Sequence, residues 1–68
     1  MTETLQNLID EANAKGWDWE TFESTDDQIV FQMWPHAMTM YEYIFDSTEG
    51  FAVAGYLTVV GCAPEKLF

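Results

Sequence analysis

Leu5, Leu8, Ile9 and Ala12 recur at the three- and four-residue steps that gather apolar side chains along one side of a helix. The pattern predicts a helix over residues 2–15. Thr2 or Thr4 can cap its start, Glu3 sits near the positive end of the dipole, and Lys15 lies in the last turn. Gly16 supplies the left-handed residue that stops it, and Trp17 can fold back onto its end.

After Gly16 the period changes to two. Residues 17–23 alternate large apolar with acid, as Trp17, Asp18, Trp19 and Glu20, until Phe22 breaks the parity and suggests a bulge or an early end. Ser24 to Asp27 reads as a turn. Residues 28–34 alternate again, with Ile29, Phe31 and Met33 on one face and Gln28, Val30, Gln32 and Trp34 on the other. Pro35 is expected to end that strand, because it cannot donate to a ladder.

Residues 38–46 and 51–60 form the best hairpin candidate. Ser47-Thr48-Glu49-Gly50 suits a three-residue loop with Gly50 as its left-handed bulge residue, which pairs Ser47 with Phe51. One face then collects Tyr41, Tyr43, Phe45, Phe51, Val53, Leu57 and Val59. The other collects Met40, Glu42, Ile44, Asp46, Ala52, Ala54, Tyr56 and Thr58; a one-residue slip exchanges the two sets. The main rival is a helix over residues 36–45, where Ala37, Met38, Met40 and Tyr41 tolerate it; the β-branched and aromatic bias that follows favours strand. The expected fold is α+β: one N-terminal helix packed on a four-stranded antiparallel sheet whose second face stays open. No linker or internal repeat divides the 68 residues, so residues 1–68 form one domain.

A chain of this length buries only about 60% of the surface it exposes unfolded. Its apolar fraction of 49% and aromatic fraction of 16% still argue for a packed core rather than disorder. Trp17, Trp19, Phe31, Tyr41, Tyr43, Phe45 and Phe51 are accordingly read mostly as core. Cys62 is the only cysteine, which rules out an internal disulfide and a cysteine-based metal cage. With no basic-then-apolar leader and no apolar run of spanning length, the expected location is the cytoplasm.

Charge changes the picture most. Twelve acids stand against two lysines, for a formal charge of −10. Lys15 and Lys66 bracket a stretch with no basic residue, which carries Asp18, Glu20, Glu23, Asp26, Asp27, Glu42, Asp46, Glu49 and Glu65. Ordinary surfaces intersperse both signs. An unopposed negative field steers basic partners and repels nucleic acid and anionic membranes. The bland reading is that acidity merely keeps a small protein soluble.

Chemistry is sparse. His36, the only histidine, follows a proline in an expected loop, and Cys62 lies in an apolar run that favours an inert thiol. No glycine-rich phosphate loop is present. Asp26-Asp27 and Asp46-Ser47-Thr48-Glu49 lack calcium-loop spacing and read as turn-capping acids. No enzyme, cofactor or metal site is expected. Base-stacking sheets interleave lysine and arginine, which are missing here, so direct nucleic-acid binding is not expected either.

What remains is acids beside apolar residues. Glu42 and Asp46 flanked by Ile44, Met40 and Tyr56 would combine charge for rate and register with anchors for affinity. Asp18, Glu20, Glu23, Asp26, Asp27 and Glu49 would extend the patch along strand ends and turns. The target would be a basic protein surface. In size, one-domain layout and acid pattern, with the Gly16-Trp17-Asp18-Trp19-Glu20 segment and the Asp26-Asp27 pair, the chain resembles the small acidic anti-CRISPR inhibitors of bacteriophages that imitate DNA. The resemblance implies binding to a CRISPR effector subunit that reads the protospacer-adjacent motif, blockade of target DNA, and residence in the host cytoplasm. Two departures count: the chain is richer in aromatics than such mimics need, and Ile44 and Tyr56 suit a hydrophobic interface. The alternatives are an antitoxin- or immunity-like module that neutralises a basic toxin or nuclease, and a self-associating structural protein; a monomer is expected, a dimer being the other option.

Overall fold

A computed structural model describes residues 4–25, 27–46, 48 and 50–68, Thr25 by its backbone alone. Helix α1 (Leu5–Lys15) starts from Thr4, whose hydroxyl accepts the Asn7 backbone N–H at 3.1 Å. Of the two threonines that could cap, Thr4 does so; Thr2 and Glu3 lie outside the described residues. The far end closes as expected. Gly16 takes φ 73°, its N–H donates to Asn13, and the Trp17 N–H reaches back to the Ala12 carbonyl at 2.8 Å. Lys15 is spent locally: its Nζ pairs with Glu11 at 2.9 Å and stands 4.6 Å from the centre of the Trp17 ring.

The rest is an antiparallel meander of strands β1 (Asp18–Thr25), β2 (Gln28–His36), β3 (Thr39–Asp46), β4 (Ala52–Val59) and β5 (Glu65–Lys66), ordered β1-β2-β3-β4-β5. Helix α1 covers one face. Leu8 and Ala12 pack there on Phe31, Met33, Phe45 and Ala52, with Leu5, Ile9, Trp17, Ile29, Tyr41 and Tyr43 around them. Trp19 stacks on Phe31 with ring centroids 5.9 Å apart, and its indole N–H donates to Asn13 of α1 at 3.0 Å. The indole thus ties the helix to the first strand. Burying side chains the size of Leu8, Phe31 and Met33 is worth about 1.5–3 kcal/mol each.

Four expectations need correction. The sheet has five strands, because residues after β4 return to pair along it. Leu67 donates to the Gly55 carbonyl at 2.8 Å, and the Phe68 ring lies where a Cβ on residue 55 would sit, 2.8 Å from its nearest atom. A Cβ there would have to push the Phe68 ring aside and would crowd the Tyr43 ring at 3.2 Å. Second, β2 runs past Trp34 to His36. The register shifts between Met33 and His36, so Trp34 and Pro35 share a bulge where a missing N–H breaks no regular ladder. His36, expected in a loop, therefore stands at the strand end, across from Thr39.

Third, Phe22 does not end β1; it stays in register opposite Val30, and the shift falls between Glu23 and Thr25. Fourth, Tyr41↔Leu57, Tyr43↔Gly55 and Ile44↔Ala54 follow the expected β3–β4 register, but Phe45 pairs with Ala52. Val53 is therefore the extra residue of a bulge. The parity flip puts Ala52 in the core, 6% exposed, and turns Val53 outward, 44% exposed, the reverse of the alternation reading. Gly50 has the positive φ, 77°, that the loop reading asked of it, whereas Ser47 and Glu49 lie outside the described residues. No helix among the described residues is long and apolar enough to cross a membrane.

Candidate functional site

The face of the sheet opposite α1 carries no second layer among the described residues. Cross-strand pairing arranges it in rows. Phe22, Val30, Ile44 and Ala54 form an apolar row across β1 to β4. Val30 is 5% exposed although no helix covers it, because its neighbours on the same face close over it; Phe22 at the margin is 43% exposed. On one side runs the row Glu20, Gln32, Glu42, Tyr56 and Lys66, and beyond it Asp18 with Trp34 and Met40 with Thr58. On the other side Gln28 faces Asp46.

Six of the residues singled out from sequence therefore share this face: Asp18, Glu20, Glu42, Ile44, Asp46 and Tyr56. Glu23 does not, because it pairs with Ile29 and so has the parity of the helix-bearing face. Asp27 is exposed in the β1–β2 turn. Asp26 and Glu49 lie outside the described residues. The alternation reading missed Phe22 as a member of the apolar row; its opposition to Val30 is the signal that would have found it.

The four carboxylates are held differently. Asp18 and Glu20 make no hydrogen bond or ion pair among the described residues and stand exposed on β1. Glu42 accepts from the Gln32 amide at 2.8 Å, which fixes its carboxylate against its cross-strand neighbour. Asp46 serves its own turn: the Thr48 N–H donates to it at 2.9 Å and the Thr48 hydroxyl at 2.7 Å. Those two bonds, the backbone one foremost, stabilise the ionised form and lower its pKa below 3.8. Asp46 is thus a charged turn residue first and a contact second.

The field across the face is uneven. Its negative end lies over β1 and β3, and Lys66 beside Tyr56 offsets it at the β5 edge. With neighbouring strands about 4.8 Å apart, the backbones of Glu20 and Glu42 stand roughly 10 Å apart. Four charges spread over about 20 Å of strand compare with about twelve phosphate charges on that length of duplex. The face matches DNA in sign but at about a third of its density, so apolar contact must supply much of any affinity. A source for it lies close by: an apolar hollow of about 200 Å³ beside the β2–β3 turn, lined by Trp34, Met38, Met40, Thr58 and Val60 among others.

The remaining reactive groups have local roles or none. The His36 ring lies 3.0 Å from the Thr39 hydroxyl across the β2–β3 turn. Cys62 is a free, exposed thiol after β4. Among the described residues no three carboxylate, imidazole or thiol groups gather as metal ligands. No family model, no curated protein and no solved structure matches this chain.

Proposed function

We propose that the chain is a non-catalytic inhibitor that lays the β1–β3 part of its open sheet face on the basic DNA-binding surface of a nucleic-acid-targeting complex, a CRISPR effector in the reading favoured by its size and acidity. The observation that supports it is the juxtaposition of Asp18, Glu20 and Glu42 with the row Phe22, Val30, Ile44 and Ala54. Those carboxylates have no lysine beside them on the first three strands, which leaves them open to the cations of a basic partner. The apolar row supplies the anchor that charge at this density cannot. Inhibition then follows from occupancy, because the same cations cannot hold DNA and this face together.

Self-association through the open face is the weaker reading. A two-fold pairing would bring Asp18, Glu20 and Glu42 of one copy toward those of the other, at a cost that grows as salt is lowered.

The test is competition. The captured partner should release labelled DNA as this protein is added. Replacing Asp18, Glu20 and Glu42 with Asn, Gln and Gln should weaken binding at least about tenfold and flatten its dependence on salt. Simultaneous binding of DNA and protein, or affinity unchanged at 1 M NaCl, where screening acts over about 3 Å, would refute it.

A further inference from the structure

We infer that the outer edge of β1 takes up an extended lysine- or arginine-bearing segment of the partner as an added strand; this rests on the reading that the partner is basic. The strand order leaves two edges. One is β5, two residues long. The other is β1, eight residues long, with Asp18 to Ser24 all exposed. Its ladder to β2 uses one side of the backbone. Among the described residues no backbone bond is made on the other side.

Proteins normally blunt such an edge with charged side chains, proline, a mid-strand bulge or a very short strand. Between Asp18 and Glu23 charge alone does so, and the register shift falls beyond Glu23. An edge of this length would template its own aggregation. It carries instead Asp18, Glu20 and Glu23, whose side chains fall on both faces. Two copies pairing edge to edge would place six carboxylates in one ribbon, and like charges opposed across strands destabilise pairing. The same three acids favour a strand with cations opposite them. Trp19 and Phe22, 36% and 43% exposed on opposite faces, give that strand apolar neighbours on each side. The edge is therefore selective by charge: closed to its own kind and open to a basic extended chain. Main-chain bonds would give affinity, and the acid spacing would set register.

The experiment uses three eight-residue peptides and the full-length protein. One peptide alternates lysine with valine, the second replaces its lysines with glutamate, and the third is the lysine peptide N-methylated at alternate residues so that it cannot add to a ladder. Amide exchange, followed residue by residue by NMR, is read together with affinity. The lysine peptide should protect amides of β1. It should lose roughly fivefold in affinity against Asp18→Asn/Glu20→Gln, as two opposite-charge pairs at cross-strand strength imply, while Glu23→Gln, on the other face from those lysines, should change it little. The glutamate and N-methylated peptides should not protect β1. If the N-methylated peptide binds as well as its parent and perturbs Glu42 and Tyr56 instead, edge pairing is overturned while the basic-partner reading stands. Absence of any binding by the lysine peptide overturns the edge assignment, and the DNA-competition assay then decides the broader reading separately. Protection of β1 that grows with protein concentration and no peptide would give the edge to a second copy and overturn the assignment to a basic partner.

Discussion

Raising NaCl should stabilise this protein by an amount that its size and charge set. A net charge of −10 sits on a body whose Cα radius of gyration is 11.6 Å. A uniform sphere with that gyration radius has a radius of about 15 Å, whereas the unfolded chain has a radius of gyration of about 25 Å. Spreading the charge over spheres of these sizes in water, the folded state carries more self-repulsion than the unfolded state by about 6 kcal/mol at 10 mM salt, about 4 at 0.1 M and about 2 at 1 M. Whole domains of this length are stable by only about 3–10 kcal/mol, so the effect is large. Urea unfolding is the assay, because urea adds no ions. With a slope near 1 kcal/mol per molar, each tenfold step in NaCl should move the midpoint by roughly 2 M at most. The repulsion scales with the square of the charge. Glu20→Gln/Glu23→Gln, at a charge of −8, should therefore show about one third less salt response. A midpoint that ignores salt, or equal responses from both proteins, would refute the claim that these carboxylates stand without internal cations.

Three further outcomes follow from the packing. Ala52→Lys should cost several kcal/mol by burying a charge against α1, while Val53→Lys should stay within about 0.5 kcal/mol of wild type in the same urea assay; the reverse order would remove the bulge at Val53. Phe31→Ala should cost about 3–5 kcal/mol and leave the thermal transition barely above room temperature by circular dichroism, whereas a loss under about 1 kcal/mol would mean that Phe31 is not the centre of the core. The Asp46 carboxyl should titrate below 3.8 by NMR, so its contribution to stability is complete above that pH and fades as pH falls through the lower folded value; Thr48→Ala/Asp46→Asn should abolish that dependence, and a midpoint at or above 3.8 would contradict the turn geometry.

The helix is legible in the sequence because both of its ends carry backbone-directed signals. A hydroxyl at Thr4 and a glycine at position 16 act within one turn, so no distant contact can override them. The β3–β4 pairs away from the turn have the expected register, but Gly50 does not set it: the bulge at Val53 lies between, and Phe45 next to the loop pairs one residue off, with Ala52. What alternation could not reveal are the two bulges, at Trp34–Pro35 and at Val53. Each inserts one residue without changing the composition of its strand, and the second swaps which of Ala52 and Val53 is buried. Core volume decides that choice: Ala52 fits under Leu8 and Phe45, and counting by twos is blind to it. The fifth strand is hidden because Glu65 and Lys66 have no strand-like pattern; Gly55 makes the room, and its role is visible only once Phe68 lies over it. Of the candidate site, the acids on β1 and β3 follow from parity alone. Glu23 departs because the β1 shift comes after it, later than the position of Phe22 suggests.

Every strand of this sheet pairs only with its neighbours in the chain, and that has a kinetic consequence. No segment must wait for a distant one before its partner exists, so loop closure at each step spans one hairpin and its entropy cost is small. Each hairpin can zip as soon as its second strand leaves the ribosome, and the eleven-residue α1 gains its stability as it packs on the growing face. Folding on the fast side for a β-rich chain follows.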